Sequence, residues 1–288
     1  MNLRALTLAA LLAATTAFAQ RGFGPLDPAP PTGVTTDQIL HKMGARESEF
    51  KDALNSYIFT RDVKFNTIND DTGKPDGEYR QVTNVTFDKQ GHRAEQVTFA
   101  PGSSIERVIM TENDFKDIEQ RLPFILTAPE LPEYNITYLG SQHVDTLDTY
   151  VFDVAPKTFE KGKRYFQGKV WVDQADDEIV LCQGLNVPQD TRPDHADLSP
   201  PFITYYQQID GKYWFPTYTK AEGTLHFPAA HESLSQDVHV RTIIHYTDYK
   251  RFHTSVTLEY NGQDVTDDRT GTGAGKDSTT PPAPANPH

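Results

Sequence analysis

Histidines, two acidic loops and one cysteine are the residues of this 288-residue chain that could do chemistry. Of the 10 histidines, His226 and His231 are separated by four residues. His239 and His245 fall on one face of a single predicted strand, six residues apart, or roughly 20 Å along it. Neither pair can chelate a metal unaided, and the sequence holds no H-E-x-x-H and no H-x-H. Asp70, Asp71 and Asp76 share one loop; Asp173, Asp176, Asp177 and Glu178 share another. Oxygen clusters can hold Ca²⁺, but neither loop has EF-hand spacing, and both read as solvated turns. Cys182, the only cysteine, stands beside Val180 and Leu181 and reads as a small buried hydrophobe. No G-x-S-x-G elbow and no glycine-rich phosphate loop is present. The expectation is therefore a binding protein rather than an enzyme, with no metal and no cofactor.

What remains is apolar surface. Phe166, Trp171, Trp214, Phe215 and Tyr218 are the aromatic residues expected to line an apolar cavity over a sheet. The same five read equally as ordinary core or cross-strand pairs. A helix starting at Thr111 would carry Phe115, Ile118 and Leu122 on one side, and Pro123 would end or kink it. Phe124, Ile125, Leu126 and Leu131 follow in an apolar segment broken by Pro129 and Pro132. It reads as a plug in the core, with a mobile flap over a cavity as the alternative.

The elements that must position these residues are mostly strands. Residues 1–19 read as a signal peptide: Arg4, an apolar run from Ala5 to Ala14 that is too short to span a bilayer, and Ala17-Phe18-Ala19 as the cleavage site. Residues 20–34 are rich in Pro and Gly and read as a flexible leader. Thr35 or Thr36 can cap a first helix, with Ile39, Met43, Phe50 and Leu54 on its apolar face. From Tyr57 the hydrophobic period changes to two. Tyr165 to Leu185 is the plainest hairpin: two runs of aromatic and β-branched residues around an acidic turn. Asp210-Gly211 marks another, and Gln236 to Arg251 a long last strand. Two strands are expected over Tyr134–Leu139 and His143–Leu147. The count is ten or eleven strands and two helices, too few helices for a parallel βαβ fold. The fold class expected is α+β: one large curved antiparallel sheet with helices on one face. Residues 261–288 read as a disordered tail.

Composition narrows the partners. A formal net charge of -13 disfavours non-specific nucleic-acid binding. No stretch is apolar enough to span a membrane. The mature chain is expected to be soluble and exported, to the periplasm or beyond.

The order of motifs resembles a known family. A signal peptide precedes Ile39-x3-Met43-x6-Phe50-x3-Leu54. Tyr150-Val151-Phe152-Asp153-Val154-Ala155-Pro156-Lys157 leads to Gly168-Lys169-Val170-Trp171-Val172-Asp173. Gly211-Lys212-Tyr213-Trp214-Phe215-Pro216-Thr217 follows. This pattern is similar to the LolA/LolB-like superfamily of outer membrane lipoprotein-sorting proteins, which includes RseB-like periplasmic sensors, and it covers residues 35–260. The resemblance implies an unclosed half-barrel of about eleven antiparallel strands, with helices on its concave face as a lid. It implies acyl chains of lipid or lipoprotein held between sheet and lid, with Phe115 to Leu131 as the lid. The alternative it implies is an envelope sensor or interaction module with a protein partner and no lipid cargo. Loops at Asn69 to Gly77 and Asn186 to Pro201 and the polar tail depart from the simple carrier. Arg61 is a candidate for the carrier's functional arginine, and that role is not carried over to it.

Overall fold

The computed structural model describes residues 22–87, 92–108, 124–189, 200–227, 236–252, 257–260 and 263–266. Residues 1–252 form one compact unit and residues 253–288 a second. The first is built on a ten-stranded antiparallel sheet: β1 (Tyr57–Ile68), β2 (Pro75–Phe87), β3 (Arg93–Phe99), β4 (Tyr134–Val144), β5 (Leu147–Pro156), β6 (Tyr165–Asp173), β7 (Ile179–Val187), β8 (Phe202–Gln208), β9 (Trp214–Phe227) and β10 (Gln236–Arg251). Across the sheet the strands lie in the order β3-β2-β1-β10-β9-β8-β7-β6-β5-β4. Chain neighbours pair as a meander from β4 to β10. The first strand then pairs with the last, from Tyr57 opposite Arg251 to Ile68 opposite His239. The curved sheet does not close, and β3 and β4 remain its two edges.

The protein is mostly β, and α1 (Thr36–Leu54) is the one α-helix among the described residues. Thr35 caps it in a capping box: its hydroxyl accepts from the Gln38 N–H, and the Gln38 side chain accepts from the Thr35 N–H. Two orphan donors of the first turn are thereby satisfied. Ile39, Met43, Gly44, Glu47 and Phe50 form the buried stripe. The helix expected from Thr111 lies outside the described residues.

The alternation of the strands sorts the core into two faces. On the helix side, Ile39 and Met43 join Phe59, Val63, Phe152, Val154, Phe166, Val170, Cys182 and Ile244. Phe50 meets Tyr57, Tyr213 and Phe215 nearby. On the opposite face Val144, Val151, Trp171, Val180 and Leu181 pack together, partly covered by Phe23.

Two expectations change. The two strands expected at Tyr134–Leu139 and His143–Leu147 are one continuous strand, β4, with a register shift between Tyr138 and Gly140. Part of the proline-rich leader is tied to that strand: the Asp27 and Ser141 backbones exchange two hydrogen bonds of 2.8 Å, and the Gly24 N–H donates to the His143 carbonyl at 2.8 Å. Gly140, at φ +146, makes the approach possible, because a Cβ there would lie 2.2 Å from the Asp27 carbonyl oxygen.

The described part of the second unit is a two-stranded antiparallel pair, β11 (Thr257–Tyr260) with β12 (Gln263–Thr266). β12 falls inside the stretch read from composition as tail.

Candidate ligand-binding cleft

The segment after Pro123 crosses α1 and fills the helix side of the sheet. Leu126 is completely buried. The Ala128 N–H donates to the Gly44 carbonyl at 3.0 Å and to the Ser48 hydroxyl at 3.1 Å. Gly44 costs helix propensity, roughly 1 kcal/mol. It is needed because a Cβ there would sit 2.6 Å from Leu131 and 3.1 Å from the Ala128 Cα. The Tyr206 hydroxyl donates to the Phe124 carbonyl at 2.7 Å. Residues 124–131 are thus a plug pinned to the helix.

The plug does not fill the space completely. A cleft of about 620 Å³ opens beside it, within the usual range for small-molecule sites, about 300–1,000 Å³. Its aromatic surface comes from Phe59, Phe124, Tyr165, Phe166, Tyr246 and Tyr249. Phe124 stacks on Phe166 with centroids 4.1 Å apart. Phe59 stacks on Tyr249 at 5.1 Å. Burial pushes the Tyr246 and Tyr249 phenols above their ordinary range, so both stay neutral.

Much of the rest of the lining is charged. Lys51, Arg61, Arg93, Lys163 and Arg164 face Glu95, Glu130 and Glu133. Lys51 bonds Glu130 at 3.1 Å, and Lys163 bonds Glu133 at 2.5 Å. Burial would raise the Glu130 carboxyl, but hydrogen bonds from Thr127 and Lys51 outweigh it and hold it below the ordinary value. Arg61 is 2% exposed and donates to Glu95 at 2.8 Å. Arg93 reaches the other oxygen of Glu95 at 3.7 Å and lies 5.5 Å over the Phe59 ring. Partial burial draws the Arg93 guanidinium below its ordinary range; Glu95 opposes that shift and Arg61 adds to it. Two arginines therefore share one carboxylate at one wall of the cleft.

Of the aromatic residues picked from the sequence, Phe166 lines this cleft and the other four do not. Phe215 is fully buried beneath Phe50 and Tyr57. Trp171 packs on the opposite face against Phe23 and donates to Gln142 at 2.7 Å. Tyr218 packs against Tyr205 and His245, and the half-buried Tyr205 packs against the core of that same face. Aromatic type signals burial, but not which face of a two-sided sheet receives it. Phe115, Ile118 and Leu122 lie outside the described residues. The charged lining was missed. Its one sequence signal is Arg61 in the inward register of Tyr57, Phe59, Val63 and Phe65.

Trp214 belongs to a second arginine–carboxylate site. The acidic turn after β6, expected to be solvated, is folded against α1. Glu178 is fully buried and Asp173 is 5% exposed. Arg46 of α1 bonds Glu178 directly and donates to the Lys212 carbonyl at 3.0 Å. The other Glu178 oxygen accepts the Trp214 N–H at 3.0 Å, while the indole donates to Asp176 at 2.8 Å. Next to Arg46, Glu47 accepts the Ile179 N–H at 2.9 Å. Burial pushes Glu47 up to about 8 and Glu178 up to about 7. The turn was misread because its polar composition does not reveal that a helix covers it. The loop holding Asp70 and Asp71 is exposed, as expected.

Other chemistry-bearing groups are dispersed. Cys182 is fully buried, its thiol pushed up to about 12 by desolvation. His226 pairs with Asp237 at 2.6 Å and His239 with Glu222 at 3.2 Å. Among the described residues no three His, Cys, Asp or Glu side chains gather as a metal site, and no helix is long and apolar enough to cross a membrane.

No known protein family matches the sequence, and no curated protein does. Solved structures show a loose likeness. A domain named as an outer membrane lipoprotein-sorting protein from Vibrio parahaemolyticus is 11% identical, with a TM-score of 0.30, over 72% of this chain and 92% of that one. MucB in complex with periplasmic MucA is 8% identical, with a TM-score of 0.22, over 75% and 98%. The MucA/MucB complex of Pseudomonas aeruginosa is 9% identical, with a TM-score of 0.21, over 75% and 98%. At these scores the likeness carries no argument about function.

Proposed function

We propose that this protein is an exported, non-enzymatic carrier that holds an apolar chain of a lipid or lipoprotein in the cleft between α1, the plug and the sheet. The observation that supports this reading is the cleft itself: about 620 Å³ with a stacked aromatic wall at Phe124 and Phe166. Each buried methylene contributes about 0.8 kcal/mol, so a chain of moderate length suffices for micromolar retention after the cost of ordering it. The signal-like residues 1–19 support export to the periplasm. The lid residues Phe115, Ile118 and Leu122 stay part of the proposal.

Native mass spectrometry of the protein purified from the periplasm, with lipid extraction of the same sample, tests it. The expected result is a stoichiometric mass increment that extracts as lipid or acylated peptide. A protein that is bare, and stays bare after incubation with lipids, overturns it.

The second reading is an envelope interaction module. The observation favouring it is the β3 edge, where Val97 and Phe99 are 51% and 48% exposed, while the leader lies along the β4 edge. Exposed edges suit strand addition by a protein partner. One stoichiometric envelope protein in a pull-down, without lipid, is the result expected for it.

A further inference from the structure

We propose that residues 22–28 are a strap that keeps the β4 edge from pairing with the β4 edge of a second copy of this chain. Neither the cleft nor its ligand enters into this.

The two edges of the sheet are guarded differently. An open edge offers unpaired N–H and C=O groups to any other strand, and charged side chains or proline are the usual defence. β3 carries Arg93 and Glu95. β4 runs for 11 residues, Tyr134–Val144, without a Lys, Arg, Asp, Glu or Pro. By its own sequence β4 is the edge open to pairing.

The leader supplies the missing guard. Phe23 and Asp27 bridge antiparallel to Val144 and Ser141. Beyond the Asp27–Ser141 and Gly24–His143 bonds, the Asp145 N–H donates to the Gly22 carbonyl at 2.7 Å. The Gln142 side chain donates to the Gly24 carbonyl at 2.8 Å, and the Tyr138 hydroxyl donates to the Ala29 carbonyl at 3.3 Å. Phe23 stands edge-on to Trp171, with centroids 6.0 Å apart, against the apolar cluster of that face. Pro25 and Pro28 have no N–H, so the strap does not present a fresh ladder in its turn.

A few backbone bonds and one ring hold the strap, so substitutions in it can release it without touching the core. With the strap off, two β4 strands can meet across a twofold axis. A second copy is the fitting occupant, because an antiparallel ladder between identical strands is self-complementary and needs no matching charge, and β4 has none to offer.

Light scattering after size exclusion tests this on the full chain carrying Phe23→Ser with Asp27→Pro, which loosens the strap and leaves β4 unaltered. The parent is expected as a monomer and the variant at doubled mass. Adding Ser141→Lys, a charge on the edge itself, should restore the monomer, and adding Val97→Lys on β3 should not. Circular dichroism checks the fold, and Asp27→Pro alone decides in the same way if the double variant does not fold. A parent that is already a dimer overturns the inference. So does a folded variant that stays monomeric. Fast hydrogen exchange of its leader amides would then mean that the open edge does not pair, and slow exchange that these contacts do not hold the strap. A mass that grows beyond a dimer, survives Ser141→Lys or is dispersed by Val97→Lys places the contact elsewhere and overturns it as well.

Discussion

The helix side of the sheet holds two arginine–glutamate sites of the same chemistry and opposite construction. At Arg46–Glu178 the carboxylate is closed in: one oxygen takes the arginine and the other takes the Trp214 N–H. Arg46 spends its remaining donors on Glu49 and on the Asp176 and Lys212 carbonyls. At Arg61–Glu95 no backbone donor holds the carboxylate among the bonds described above. A second arginine shares it, and the group faces a cleft. The difference shows what separates a clamp from a candidate binding site. Backbone donors consume a carboxylate and fix elements to each other, whereas the Arg61–Arg93–Glu95 group stands in the wall of a cleft.

The largest expected effect breaks the closed site. Arg46→Met strands a buried carboxylate and should cost about 3–5 kcal/mol, read as a fall in denaturation midpoint. A loss under 1 kcal/mol would mean that Arg46 clamps nothing.

The next effect is pH-dependent. Glu47 and Glu178 have folded values raised from 4.5 to about 8 and about 7. The folded state therefore binds protons that the unfolded state has released. The stability tied to these protons is full below pH 4.5 and is lost as pH rises through 7 and 8. Melting temperature should fall between pH 5 and 8. Glu47→Gln, which keeps an acceptor for the Ile179 N–H, should flatten that fall and raise the melting point at pH 8 by about 5 °C. An unchanged pH profile in the variant would show that Glu47 is not the group responsible.

At the open site the effects on stability should be smaller. Phe124→Ala removes the ring stacked on Phe166 and should cost about 1–2 kcal/mol, with lipid retention falling about tenfold in the extraction assay. Full retention in the folded variant would move the chain away from this wall. Smallest is Arg61→Met, expected within about 1 kcal/mol of the parent in urea denaturation. A loss as large as that of Arg46→Met would make Arg61 a second clamp and erase the contrast.

Much of the sheet was legible in local pattern. The period of two from Tyr57 onward, the hairpin around Asp173 to Glu178 and the turn at Asp210-Gly211 all lie where the structure has β1, β6–β7 and β8–β9. Turn chemistry and alternation act between near neighbours, so they survive in a single sequence. The Thr35 cap and the stripe of Ile39, Met43 and Phe50 were legible for the same reason.

The cleft was not legible, because its walls come from strands far apart in the chain. Phe59 and Arg61 of β1 meet Arg93 and Glu95 of β3, Phe166 of β6 and Tyr246 of β10 only once the sheet is assembled. Alternation told that Trp171 and Phe215 would be buried, but not on which face.

The sequence by itself determined a mostly antiparallel protein and an amphipathic first helix. These depend on periodicity, capping and turn preference, all local. The tertiary structure alone decided that β1 pairs with β10, that Glu178 at the end of an acidic turn is buried against Arg46, and that two arginines share Glu95 beside a cleft. Each of those depends on which distant surfaces exclude water together, and no local pattern encodes that.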